Sequence, residues 1–132
     1  MLNQSQRVMV QTYGTTLGRM LMGLLFAFSG VGTFLGGVES TAGYFASVGI
    51  PMSALVVWLV IILKIGAGGA LILGYRVGLA AIALILFTLV ATAIAHLSFE
   101  DQNLFKNLAI VGGLLYVLAY GAGEGWSVGK SK

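Results

Sequence analysis

Few side chains in this sequence are suited to chemistry, and Lys64 is the most unusual of them. It lies about 12 residues into an apolar segment, so a helix that crosses a bilayer would hold it roughly 15 Å from either surface. A charged lysine at that depth costs about 2.5–3.5 kcal/mol on insertion scales. No aspartate or glutamate lies within an apolar segment. Three states are open to the amine: it is neutral, it pairs with carbonyls and hydroxyls around a water pocket, or an acid or anion comes from elsewhere.

A second polar group lies where the third and fourth apolar segments meet. It consists of His96, Lys106 and Asn107, which the chain places at the same membrane level. One histidine cannot supply both axial ligands of a bis-histidine haem. These residues therefore act either as interfacial anchors and hydrogen-bonding groups or as a site for a quinone or an anionic head group.

The remaining chemistry is sparse. The chain has no cysteine, and no nucleophile with a base, no metal-ligand set and no pair of carboxylates can be assembled from it. No catalytic residue and no metal site is predicted, which disfavours intrinsic enzyme activity. Arg19, near one end of the first apolar segment, is expected to be a snorkelling anchor, and it is also a candidate for binding a partner or an anion.

The composition requires lipid around these residues. Of 132 residues, 58% are hydrophobic and 8% are charged, whereas soluble domains carry about 25% charged residues. One small core could not bury this much apolar surface, so the chain is predicted to be a single membrane domain over 1–132. The seven lysines and arginines are scattered, so the net charge of +3 does not indicate nucleic-acid binding.

Four apolar segments of roughly 20 residues match the thickness of a bilayer core. They are continuously apolar and not alternating, which favours helices over a β-barrel. We therefore predict an all-α membrane protein, an antiparallel bundle of four transmembrane helices. The predicted spans cover about 17–37, 52–75, 77–97 and 104–121.

The charges predict an orientation. With both termini in the cytoplasm, five cations lie on the cytoplasmic side and one, Lys106, on the outer side. The five are Arg7, Arg19, Arg76, Lys130 and Lys132.

The first outer loop is predicted to contain a short amphipathic helix over 40–48. Ser40 or Thr41 would cap its start, and Gly49 would end it. Such a helix would lie in the headgroup region, and a structured loop without a function is the alternative.

Small and polar residues indicate which helix faces pack together. Gly23, Gly30, Thr33 and Gly37 mark one face of the first span, and the run 66–70 would let a neighbour approach the second span on almost any side. Two polar stripes are predicted to face the bundle interior. They consist of Thr88, Thr92 and His96 in the third span, and of Lys106, Gly113, Tyr116 and Tyr120 in the fourth.

The chain resembles the DoxX family of small four-helix bacterial membrane proteins. The Gly-Ile-Pro of 49–51 and the Lys-Asn of 106–107 are moderately specific elements of this resemblance, and their order and spacing make it convincing. The matching stretches are 17–19, 23–26, 29–30, 41–51, 68–74, 105–108 and 112–113, together with His96.

The resemblance implies an inner-membrane, multi-pass protein. Some relatives are linked to thiosulfate:quinone oxidoreduction, and others to membrane complexes that handle oxidative or thiol stress. Relatives usually have a lysine at the position of Thr33 and a glutamate at that of Lys64. Here a cross-helix pair is replaced by one amine, which makes Thr33 a further candidate for binding a partner or an anion.

Three functions are compatible with these observations. The first is a non-catalytic accessory subunit of a respiratory or other redox complex, with the bilayer and other membrane subunits as partners. Lys64 and the small-residue faces would dock against such a subunit. The second is a quinone-linked oxidoreductase component acting on thiosulfate or related sulfur substrates, with quinone or bound lipid as the cofactor. The third, a small transporter, is weaker because the two halves of the chain differ in loop length and charge.

Overall fold

The computed structural model describes residues 2–95, 102–123 and 125–128. His96 and the other residues outside these ranges are not described. Within them the regular structure is entirely helical, as predicted. The helices are α1 Gln4–Met9, α2 Thr15–Gly36, α3 Val38–Ser47, α4 Ser53–Leu73, α5 Val77–Ala95 and α6 Gln102–Tyr120, and a π-helical turn, Val10–Gly14, joins α1 to α2.

Three helical segments are long and apolar enough to cross a membrane. They are Gln4–Gly36, Ser53–Leu73 and Val77–Ile94. The apolar part of α6, Leu104–Tyr120, is shorter. Four crossings therefore stay a prediction.

The chain before Leu17 is also helical, whereas the first span was predicted to begin at that residue. Helix α1 begins after Asn3, whose side chain accepts a hydrogen bond from the Gln6 N–H at 2.8 Å, while the Gln6 side chain accepts one from the Asn3 N–H at 3.1 Å. This reciprocal pair is a capping box, which compensates for the polar composition of the segment. The first helical body is therefore 33 residues long.

The helix predicted in the first loop is present, and Gly49 ends it as predicted: at φ 90° its N–H donates to the Ala46 carbonyl oxygen at 3.1 Å. Its N-terminal cap was predicted wrongly. Helix α3 begins at Val38, and Ser40 and Thr41 lie inside it. Gly37, at φ 115°, separates α2 from α3 with a backbone conformation that glycine adopts readily. The turn before α3 therefore comes from the backbone and not from a side-chain cap.

Helices α2 and α4 make the closest contact in the molecule. A Cβ atom built on Gly68 would lie 2.7 Å from both the Gly23 carbonyl oxygen and the Ala27 nitrogen. Cβ atoms on Gly66 or Gly69 would meet nothing within 4 Å. The small-residue run therefore packs on two sides and not on almost any side: Gly68 faces α2, and Ala67 and Ala70 pack against the buried core cluster.

The two polar stripes have opposite outcomes. Thr88 and Thr92 are buried, as predicted. Tyr116 and Tyr120 are 71% and 75% exposed and stack on each other with their ring centroids 6.2 Å apart. The prediction for α6 is wrong for these two tyrosines, but it holds for Gly113, where an added Cβ atom would lie 2.5 Å from the Met22 side chain of α2. The fully buried residue of this part of α6 is Leu114, which belongs to the same core cluster as Leu84 of α5.

Candidate functional site

A cavity of about 600 Å³ lies among helices α2 to α6. Its lining includes four of the six residues selected from the sequence: Thr33, Lys64, Lys106 and Asn107. Arg19 does not line it, and His96 lies outside the described residues. The structure therefore joins into one site two groups that the sequence had suggested separately.

Lys64 extends from α4 into this cavity at the crossing with α2. Gly30 permits the close approach, because a Cβ atom there would lie 3.0 Å from the Cβ of Lys64. The Lys64 Nζ donates a hydrogen bond to the Ser29 Oγ at 3.0 Å and lies 5.2 Å from the centroid of the Phe87 ring. A cation over an aromatic face is attracted by the ring quadrupole. The amine therefore has a hydroxyl partner and lies beside a cavity.

Thr33 and Lys64 line the same cavity. These are the two positions at which the resemblance implies a lysine and a glutamate in relatives. The Thr33 hydroxyl donates to the Ser29 carbonyl oxygen of its own helix at 3.1 Å. Ser29 is the residue between them, since its carbonyl serves Thr33 and its hydroxyl serves Lys64. Ser29 could not be selected from its type and position alone, because serine is common in helix interfaces.

The opposite wall is a hydrogen-bonded bridge between α5 and α6. The Asn107 Nδ2 donates to the Thr92 Oγ1 at 3.0 Å, and that hydroxyl donates to the Thr88 carbonyl oxygen at 2.7 Å. The Thr88 hydroxyl is buried without a hydrogen-bond partner among the described residues. Thr88 is 4% exposed and also lines the cavity. The spacing in the sequence marked Thr88 as buried, but nothing marked its hydroxyl as unsatisfied.

The charge of the cavity is one-sided. Lys106 is exposed and lines the cavity together with Lys64. Glu39, the one acidic residue within the described ranges, is exposed and is not part of the lining. The described walls therefore supply two amines, several hydroxyls and an amide, but no carboxylate.

Arg19 forms a separate site at the far end of α2 and is not the snorkelling anchor that was expected. It is 2% exposed, and its Nη1 and Nη2 donate to the carbonyl oxygens of Ala122 at 2.9 Å and Trp126 at 2.7 Å. The chain after α6 folds back over the helix ends, where the Val128 N–H donates to the Leu73 carbonyl oxygen at 2.7 Å. Irregular backbone leaves carbonyls that need donors, and the planar guanidinium supplies several.

These helices and this cavity define an integral membrane protein with a polar site between its helices. The DoxX family model matches residues 14–97, which cover α2 to α5. The chain belongs to the DoxX family, as the resemblance indicated.

A curated relative matches the chain over most of its length. The chain is 32% identical over 118 residues to the inner membrane protein YqjF of Escherichia coli (strain K12), an alignment that covers 86% of this chain and 88% of the relative. No solved structure matches significantly. The family, this relative and the apolar helices identify a bacterial inner-membrane protein.

Proposed function

We propose that the protein is a non-catalytic accessory subunit of a larger membrane complex, of the respiratory or another redox type. It crosses the membrane four times as an antiparallel bundle with both termini in the cytoplasm. The contacts between α2 and α4 support the antiparallel arrangement: Gly23 lies by Gly68 and Leu71, whereas Gly30, further along α2, lies by Ile65 and Lys64, earlier in α4.

The observation that carries this proposal is the extension formed by α1 and the π turn. The continuous helix Gln4–Gly36 has 33 residues, so it is roughly 50 Å long, whereas a bilayer core is about 30 Å thick. Within the described residues, α1 contacts only the π turn. Four large apolar side chains on this extension are each more than half exposed: Val8, Met9, Val10 and Tyr13.

The extension therefore offers an apolar surface beyond the ends of the other helices. We place the partner there and not at Lys64, because the Lys64 amine lies against Ser29 and Phe87 within the cavity. A neighbouring membrane subunit would cover the extension where the lipid core no longer does.

Purification from the native membrane in a mild detergent or a polymer disc tests the proposal. Mass spectrometry should identify a membrane subunit that accompanies the tagged protein in a reproducible ratio. Met9→Glu with Tyr13→Glu should lower its recovery at least about tenfold, since two charges would enter an apolar interface. Gln4→Glu with Gln11→Glu adds the same charge to the same extension and should leave recovery unchanged. Absence of any stoichiometric companion, or equal loss in both double variants, would refute the proposal.

A quinone-linked oxidoreductase component is the second candidate, and the cavity favours it. Lys64, Lys106 and Asn107 could together hold a quinone head group or a sulfur oxyanion such as thiosulfate. This function predicts that quinone is extracted with the purified protein, and that thiosulfate or sulfite reduces a quinone analogue in its presence. No quinone in the extract and no turnover would exclude it.

A further inference from the structure

Two amines line the cavity, and the described walls contribute no carboxylate. Lys64 and Lys106 both line it, and Glu39, the acidic residue that the structure describes, is not in the lining. An ammonium group in surroundings of low polarity is stabilised by an opposite charge far more than by a neutral hydroxyl. Ser29 and Phe87 give the Lys64 amine polar contacts but do not neutralise it.

Hydrogen-bonding groups on two walls of the same cavity are not fully used by the described residues. An ammonium has three N–H donors, and within the described residues one of those of Lys64 is used, by Ser29. Thr88 is 4% exposed, and its hydroxyl has no hydrogen-bond partner among the described residues. Phe87, the next residue in the chain, lies beneath the Lys64 amine. Buried polar groups in native proteins are almost always paired. Thr88 lines this cavity, so rotation of its side chain would bring the unpaired hydroxyl to a ligand there.

The size and the remaining walls limit what the occupant can be. The volume, about 600 Å³, lies within the roughly 300–1,000 Å³ of typical ligand sites. Apart from its polar groups the cavity is lined by aliphatic and aromatic side chains, such as Phe26, Val60, Ile94 and Ile110. A small hydrophilic anion would leave these walls uncovered, and a quinone, whose head is neutral, would add no counter-charge to the described walls. An anionic amphiphile therefore fits the lining better than the ligands of the second candidate function do.

We infer that this cavity is a binding site for an anionic amphiphile, with an oxyanion head between Lys64 and Thr88 and an acyl chain along the apolar wall. The head would accept hydrogen bonds from the Lys64 amine and the Thr88 hydroxyl. A free fatty acid and the phosphate of an anionic lipid share this chemistry. The inference depends only on the cavity, so it stands whether or not a partner subunit is found.

Ligand retention in discs of phosphatidylcholine tests this inference. The protein is incubated with oleate, oleyl alcohol, dioleoyl-phosphatidylglycerol or decylubiquinone, and native mass spectrometry measures what stays bound. We expect oleate or the phosphatidylglycerol to bind at least about tenfold more tightly than oleyl alcohol, because only they carry the charge. Preference for oleate identifies a fatty-acid site, and preference for phosphatidylglycerol identifies a lipid headgroup site. Equal retention of oleyl alcohol, or preference for decylubiquinone, overturns the inference.

Three variants locate the site. Lys64→Met should weaken binding of the preferred anion roughly tenfold to a hundredfold, and Thr88→Val roughly twofold to tenfold. Arg76→Met removes the same charge from an exposed residue outside the cavity lining and should leave binding unchanged. If Lys64→Met does not yield a monodisperse protein, the test is the binding of the preferred anion to Thr88→Val compared with its binding to Arg76→Met. Binding that is unchanged in Thr88→Val and Lys64→Met, or reduced equally in Arg76→Met, overturns the assignment.

Discussion

Arg19 and Lys64 are both cations within helices, and the molecule treats them in opposite ways. The Arg19 guanidinium is 2% exposed and donates to two backbone carbonyls. The Lys64 amine is half-buried beside a cavity, with a hydroxyl and an aromatic ring as neighbours. The first arrangement holds chain segments together, whereas the second leaves donors available for a ligand. A cation in an apolar helix can therefore have either a structural role or a ligand-binding role.

The difference follows from the backbone that surrounds each side chain. Arg19 meets the chain after α6, where irregular structure leaves carbonyl oxygens without helical partners. Lys64 lies where two regular helices cross, and the acceptor that its amine meets there is the Ser29 hydroxyl and not a backbone carbonyl.

Arg19→Met should produce the largest loss of stability. It removes two hydrogen bonds from a charged donor, each worth about 1.5–3 kcal/mol, and releases the segment after Gly121. The melting temperature in detergent should fall, and limited proteolysis should cut the released segment. Arg76→Met, at an exposed position, should change stability by less than about 0.5 kcal/mol. Equal melting temperatures for the two variants would show that Arg19 does not stabilise the packing of the segment after Gly121.

Gly68→Ala should have the next largest effect, and it acts on the Lys64 side of the comparison. The added methyl would press on backbone atoms of Gly23 and Ala27, at a cost of about 1–3 kcal/mol. It should also move α2 away from α4 and weaken anion binding at Lys64. Gly69→Ala, which meets nothing within 4 Å, is the matched control. If both variants melt alike, α2 and α4 do not cross as closely as described.

Lys64→Met should change stability in the direction opposite to Arg19→Met. Without a bound anion, replacing a half-satisfied amine with an apolar side chain of similar length should be neutral or stabilising by about 1 kcal/mol. The measurement is the melting temperature of delipidated protein beside wild type. A loss comparable to that of Arg19→Met would mean that Lys64 is a structural residue after all.

Thr92→Val should have the smallest effect, about 1 kcal/mol. It keeps the shape of the side chain but removes the hydroxyl that accepts from Asn107 and donates to Thr88. Thr92→Ser retains the hydroxyl and should lie closer to wild type in melting temperature. A Ser variant that is less stable than the Val variant would indicate that packing, and not the bridge, holds α5 to α6.

Much of the helical framework could be predicted. The predicted spans 52–75 and 77–97 lie within about two residues of α4 and α5 at each described end, because charges and glycines interrupt the apolar sequence there. The amphipathic helix α3 and the burial of Thr88 and Thr92 also followed from local spacing. Helix α1 could not be anticipated from hydropathy, since its cap is polar. The continuous helix to which it belongs, Gln4–Gly36, is also longer than a bilayer core requires.

The sequence by itself determined that the chain is a helical membrane protein, because the bilayer constrains the length and hydropathy of every spanning segment. It also determined the DoxX family, which the order and spacing of its motifs indicate. Only the tertiary structure decided what each cation does. The Arg19 partners lie 103 and 107 residues away in the chain. The Lys64 amine, which in the sequence had no acid to pair with, gained Ser29, Phe87 and a cavity shared with Lys106 and Asn107. Contacts between distant segments depend on how helices cross, and local periodicity does not encode that.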